Sequence, residues 1–243
     1  GSAAGRANTS GLSGTFMGYE AGASNVNGDA NTFIGRSAGY ANTEGGSNSF
    51  FGANAGQANT TGISNTFLGR NSGNSNTTGS NDTFLGYQAG YANTNGASNT
   101  FLGFDSGFYN TEGGGNAFVG YYSGFSNSLG MNNTLLGYQA NHYNEKGSSN
   151  TLLGYQAGAG GSAHDKSGNV FIGFRAGQDE TGSDKLYIAN SNTASPLLYG
   201  NFASSLLSFN ANVGISTNAP STRLHVSGGD LQVGDATAST ISA

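Results

Sequence analysis

One apolar pair recurs along the chain at a fixed interval. Phe16, Phe33, Phe50, Phe67, Phe84, Phe101, Phe118, Leu135 and Leu152 follow each other every 17 residues, and Phe171 comes after 19. Behind them runs a second apolar column: Met17, Ile34, Phe51, Leu68, Leu85, Leu102, Val119, Leu136 and Leu153. A glycine follows each pair, from Gly18 to Gly154. Small residues (Ala21 to Ala157), asparagines (Asn25 to Asn144) and further glycines (Gly28 to Gly147) keep the same register. A short, strict period marks stacked repeated units. Seventeen residues are too few for two helices and a turn, and Gly and Asn interrupt every helical stretch. Thr-Phe-Leu reads as a short strand, a second extended piece is expected near Tyr-Ala-Asn-Thr, and glycine turns separate them. The predicted fold is all-β: a parallel β-solenoid, or β-roll, of 17-residue coils. Like residues then stack in ladders about 4.8 Å apart.

The pattern divides the chain into three. Residues 1–14 read as a partial first coil, because Asn8-Thr9 and Gly11 already keep register. Residues 15–182 form the solenoid domain. Its register breaks over 159–170, which reads as an enlarged loop before a last coil at Val170-Phe171-Ile172. Residues 183–243 read as a C-terminal β cap or neck. Its expected strands lie at Lys185–Asn190, Pro196–Phe202, Leu206–Phe209, Val213–Ile215, Arg223–Val226 and Leu231-Gln232-Val233.

Successive strand residues point to opposite faces. With Phe and Leu adjacent, both faces of the strand are apolar. The Phe column fills the coil interior, beside the small Ala/Ser column and an Asn amide ladder. The column from Met17 to Leu153 is then left along the outside, a patch of roughly several hundred Å². The same ladder from sister chains is the simplest cover, so the expectation is a homotrimer with Met17, Ile34, Phe51, Leu68, Leu85, Leu102, Val119, Leu136 and Leu153 at its interface. The alternative is a monomer whose long turn folds over that face.

Composition narrows the function. Only 9% of residues are charged and the formal net charge is −5. Polarity comes from Asn, Ser and Thr, which suits stacked coils because like charges in adjacent coils would repel. No basic patch points to nucleic acid, no apolar run approaches a membrane span, and cysteine is absent. The 43 glycines do not fall at every third position, which excludes collagen.

Catalytic motifs are missing or are decoys. Gly35-Arg36-Ser37-Ala38-Gly39 fits a nucleophile elbow, but the Ser37 slot holds Glu20, Asn54, Gln88 and Tyr122 elsewhere, so it reads as a turn position. His142, His164 and His225 are far apart in sequence, and no metal site, cofactor or catalytic residue is assigned. Asp105, Glu112, Glu145 and Asp165 are the acids a glycosidase reading would use, and they read as solvated turn residues.

One surface pattern carries a binding expectation. Tyr87, Phe104 and Tyr121 occupy the slot after the strand glycine, and Tyr91, Phe108 and Phe125 lie four residues on. These six form the candidate ligand-binding stripe, since aromatics on an Asn/Ser/Thr surface can grip sugars or proteins. The competing reading is that the rings stack and reinforce the rod.

The Asn-Thr/Ser-apolar-Gly strand, as in Asn48-Ser49-Phe50-Phe51-Gly52, resembles the head of YadA-like trimeric autotransporter adhesins over roughly residues 8–177. That resemblance implies a trimeric β-roll on a bacterial surface. The segments Leu186-Tyr187-Ile188, Pro196–Gly200 and Val213–Val226 look like those that precede intramolecular chaperone domains in tail-fibre-like proteins, which implies trimeric fibre architecture. Together they lead to the expectation of a non-enzymatic, extracellular, trimeric fibre segment for surface adhesion. Its partners would be its own copies and a protein or glycan on a host or neighbouring cell, without nucleic acid or membrane contact. The alternatives are a phage or injection-machine tail-fibre segment and a polysaccharide-cleaving solenoid.

Overall fold

The structure, a computed structural model, describes residues 1–228. The expected strand at Leu231-Gln232-Val233 lies outside them. Ten three-residue strands carry the repeat: β1 Thr15–Met17, β2 Thr32–Ile34, β3 Ser49–Phe51, β4 Thr66–Leu68, β5 Thr83–Leu85, β6 Thr100–Leu102, β7 Ala117–Val119, β8 Thr134–Leu136, β9 Thr151–Leu153 and β10 Val170–Ile172. Each pairs in parallel with the next, and like residues face each other, Phe84 with Phe101 and Phe101 with Phe118. The chain is therefore a parallel β-solenoid with one coil per 17-residue repeat. Among the described residues the helical content is one 3-10 turn, Phe202–Ser204.

The alternation of the strand sets the core. In Thr-Phe-Leu the middle residue points inward, and Phe33, Phe50, Phe67, Phe84, Phe101 and Phe118 are fully buried. Their rings stack nearly parallel, with centroids 4.7–4.9 Å apart from Phe33 to Phe118. Ala38, Ala55, Ala89, Ala140 and Ala157 close the interior opposite them. Where serine takes that column it stays satisfied: Ser72 and Ser106 donate to the carbonyls of Phe84 and Phe118.

The second extended piece expected near Tyr-Ala-Asn-Thr is not a strand. Left-handed backbone at Gln88, Gly90 and Ser98 turns the chain within a few residues each time. These turns still bond from coil to coil. Ala92 donates to Phe108 O and Thr94 to Thr111 O, both at 2.9 Å. The backbone ladder thus runs round the coil although only one side is strand.

Glycine follows the apolar pair for a steric reason. Gly103 has φ +136°, and a Cβ there would collide with the carbonyl of Gly120 in the next coil.

The coils end in a different arrangement. The 19-residue step leaves the strand register intact, since Leu152 still faces Phe171. The two extra residues are absorbed before Lys166, whose carbonyl accepts from Asn144 and Asn150 as the column glycines do elsewhere. Strand β11, Lys185–Ile188, adds in parallel to β10. Strands β12, Leu198–Asn201, and β13, Leu206–Phe209, continue the same sheet antiparallel. Strands β14, Val213–Ile215, and β15, Leu224–Val226, form a separate parallel pair. The interior rings meet differently here: Tyr187 meets Phe171 edge-on, and Tyr199 meets Tyr187 edge-on.

Candidate functional site

The outer face of the sheet is where the molecule is least self-sufficient. The third residue of each strand points away from the core and is exposed or half-buried. Met17 is 61% exposed, Leu68 46% and Leu136 46%, with Leu85 and Leu153 similar. Ile34, Phe51, Leu102 and Val119 are half-buried by their ladder neighbours. The first strand residues flank them on the same face, mostly threonine, from Thr15 to Thr151. No charged residue occupies either column. The face is regular and mixes methyl groups with hydroxyls. Among the described residues no turn folds over it.

The six aromatic residues of the candidate stripe fall into two ladders. Tyr87, Phe104 and Tyr121 continue into Tyr138, Tyr155 and Phe174, with centroids 4.9–5.3 Å apart and planes within 14°. Tyr91, Phe108 and Phe125 form the second and end on His142, stacked 5.0 Å from Phe125. The first ladder is exposed, the second half-buried. Stacking of this kind covers the ring faces and leaves edges and hydroxyls to solvent. An arginine stands at each end of the first ladder: Arg70 lies 5.9 Å from the Tyr87 centroid and Arg175 5.2 Å from that of Phe174. A ligand on this stripe would therefore meet ring edges and tyrosine hydroxyls rather than open π faces.

Two amide ladders line the interior. In the expected column each asparagine donates to the amide oxygen of the previous coil and to a nearby glycine carbonyl. Asn110 gives 2.8 Å to Asn93 Oδ1 and 2.9 Å to Gly113 O. The ladder stops at Asn127, whose Oδ1 has no donor because Asn144 turns its amide to Lys166 O instead. The second column, Asn31 to Asn169 just before each strand, was not singled out from the sequence. Its Oδ1 accepts the next coil's backbone N–H, as in Asn65 to Asn48 at 2.9 Å. Its Nδ2 donates to the glycine carbonyl 14 residues on. Register alone would have found it, since every copy precedes a strand.

Buried ionisable groups interrupt these neutral ladders. Asp82 occupies the second column, fully buried, and burial pushes its carboxyl up to about 7 against hydrogen bonds from Asn99 that pull the other way. Asp105 is buried in the turn slot, raised to about 6 by burial, with Oδ1 unpartnered. Lys166 is fully buried over Phe171 and donates to Glu180 O at 2.9 Å; burial lowers it to about 8, opposed by Glu180 and Asp179. Burial pushes Glu180 up, but hydrogen bonds, led by Tyr187 Oη at 2.7 Å, outweigh it and hold the carboxyl below its ordinary range. Beside Glu180 and Tyr187 opens a cleft of about 310 Å³ that also touches Asp179 and Asn192. Both Glu180 oxygens are already engaged, by Gly182 N–H and Tyr187.

Ser37 is a buried turn residue whose left-handed backbone is shared by the half-buried Glu20 and Asn54 of its column. His142 is stacked on Phe125, His164 lies opposite Asn144, and His225 Nδ1 accepts from Ser221 N–H at 3.3 Å. Asp165 accepts from Lys146 N–H. Among the described residues no three His, Cys, Asp or Glu side chains converge as a metal site, and no helix is long and apolar enough to cross a membrane. Comparison with protein-family models, with curated proteins and with solved structures finds no match to this chain.

Proposed function

We propose that the chain is a non-enzymatic rod segment of a homotrimeric extracellular fibre that acts in surface adhesion. One observation carries this reading: the uncharged ladder from Met17 to Leu153 is exposed or half-exposed along one face, and its regular Thr-and-apolar pattern is self-complementary. Copies related by a rotation axis would cover it ladder against ladder, at a spacing each chain already has. A flat apolar stripe of this length is otherwise a liability in a soluble rod. Strands β11 to β13, with Lys166 and Tyr187 at the end of the interior ladders, serve as a cap on the last coil. The resemblance to YadA-like adhesin heads agrees with the strand pattern. The segments after residue 183 favour a second reading, a tail-fibre segment in receptor binding.

Adhesion by such a rod is mechanical and multivalent. The coil-to-coil backbone ladder gives stiffness, and three copies of a weak contact raise avidity without new chemistry. The stripe of Tyr87, Tyr91, Phe104, Phe108, Tyr121 and Phe125 is the proposed contact for a protein or glycan ligand, through ring edges and hydroxyls.

Light scattering on a size-exclusion column tests the assembly. A trimer has about 73 kDa, three times 24.4 kDa. Replacing Leu68, Leu102 and Leu136 by Ser shifts it to the monomer mass, whereas a wild-type monomer refutes the trimeric reading. Changing Tyr87, Phe104 and Tyr121 to Ser abolishes ligand binding and leaves the mass unchanged; retained binding removes the stripe from the site.

A further inference from the structure

The second asparagine ladder has one exception, and its chemistry is not neutral. At Asn31, Asn48, Asn65, Asn99, Asn116 and Asn133 the amide nitrogen donates 2.7–2.9 Å to the carbonyl of the glycine 14 residues on. At position 82 the residue is aspartate, and the corresponding acceptor is Gly96 O. A carboxylate has no hydrogen to give there. It would set a negative oxygen against a carbonyl oxygen inside a fully buried column. A protonated carboxyl has one acceptor oxygen and one O–H donor, which is what the ladder asks of each member.

We propose that Asp82 is held in the folded rod as the neutral acid, donating its proton to Gly96 O in place of the asparagine amide, so that the joint between the β5 and β6 coils depends on proton concentration. The other half of the ladder is already built for this. Asp82 Oδ1 accepts from Asn99 N–H at 2.8 Å, and Asp82 N–H donates to Asn65 Oδ1 at 2.9 Å. Compensation for a charge is weak: Asn93 Nδ2 is 3.4 Å from Oδ2, and the backbone and side-chain hydrogen bonds from Asn99 do not offset the burial. The groups around Asp82 are asparagines, Asn65 from the coil before, Asn99 from the coil after and Asn93 from the turn across the interior. No cation or second carboxylate among the described residues acts on it. Desolvation alone favours the neutral form, and its folded-state value near 7 agrees with the geometry.

The sign follows from linkage. The folded state binds the proton more tightly than the unfolded chain, so stability falls as pH rises from about 3.8 to about 7 and is constant above. Over that window the folding equilibrium constant attributable to Asp82 falls tenfold per pH unit, about 1.4 kcal/mol. The joint is tight in acid and weakest at neutral or alkaline pH. This inference does not rest on the trimeric reading.

The test compares the wild type with Asp82→Asn by chemical unfolding from pH 4 to pH 9. Asparagine is the repeat's own residue, so the variant keeps the ladder. The advantage of D82N is expected to grow with pH and level off near 7. Asn116→Asp, moved two coils along, should acquire the same slope. Infrared difference spectra of wild type minus D82N at pH 5 should contain a protonated-carboxyl stretch, the contribution of Asp105 cancelling. A D82N advantage that is flat across pH, or a difference spectrum without that band, overturns the proposal.

Discussion

Removing one ring from the middle of the Phe ladder should cost far more than removing one from its end. Phe101 is fully buried between Phe84 and Phe118, with centroids at 4.8 and 4.7 Å. Phe101→Ala leaves a ring-sized void that the flanking coils cannot close, because their backbones are fixed by the ladder on both sides. Burial and cavity together are worth about 3–5 kcal/mol for a buried Phe, and two lost stacks of about 0.5–1.5 kcal/mol each place the total near the top of that range. Phe16 is only partly buried and has one neighbour, Phe33, tilted by 31° at 5.4 Å. Phe16→Ala should cost about 2 kcal/mol. Phe101→Leu should be mild, since Leu135 and Leu152 already hold the same column. Equilibrium unfolding in urea, followed by tyrosine fluorescence, gives the totals. Hydrogen exchange of peptides from β5 to β7 shows where the F101A rod opens. Equal costs for F101A and F16A, or an F101A cost below about 2 kcal/mol, would refute the view that ring stacking holds the coils together.

Two further perturbations follow from the same geometry. Gly103→Ala puts a Cβ against the Gly120 carbonyl at φ +136°, and should destabilise by about 3 kcal/mol or more, read as a loss of urea midpoint. Lys166 is lowered from 10.5 to about 8 by burial, so the unfolded chain binds its proton more tightly; stability should rise by up to about 3 kcal/mol as pH goes from 8 to 10.5, and Lys166→Met should remove that slope.

The repeat made the solenoid legible because a 17-residue period fixes which residues stack, and stacking dictates most of the rest. Phe101 had to be interior and Leu102 exterior once Thr-Phe-Leu was a strand. The turn backbone was harder to read. Left-handed residues at Gln88 and Ser98 are not glycine, so nothing in their identity announces that the Tyr-Ala-Asn-Thr piece bends instead of extending. Stacking of Tyr87 on Phe104 followed from register, but the covering of ring faces depends on side-chain rotamers that a pattern does not carry. Asp82 and Lys166 were not legible as substitutions, because the asparagine column that Asp82 interrupts was not singled out and Lys166 lies where the register breaks. Their meaning needed the ladder partners, because a carboxylate in a turn and a carboxylate facing a carbonyl read alike in sequence.

A ladder of like residues is stable only if each member satisfies its own copy. Phe rings do so by stacking, carboxamides by having both a donor and an acceptor, and threonine by reaching the next coil's carbonyl, as Thr94 does to Thr111 O at 3.0 Å. Each of these columns is satisfied within one chain, except where the first asparagine ladder ends at Asn127. The column of Met17, Leu68, Leu85 and Leu136 differs. Contacts along the axis bury the sides of these residues but leave their outward surface in water, however many coils are added. Lengthening the rod therefore increases the uncovered apolar area in proportion, whereas it adds nothing unsatisfied to the interior. That an apolar residue holds this slot through nine coils, when Ser or Thr would serve a strand exposed to water as well, is the physical argument for the proposed packing against another surface.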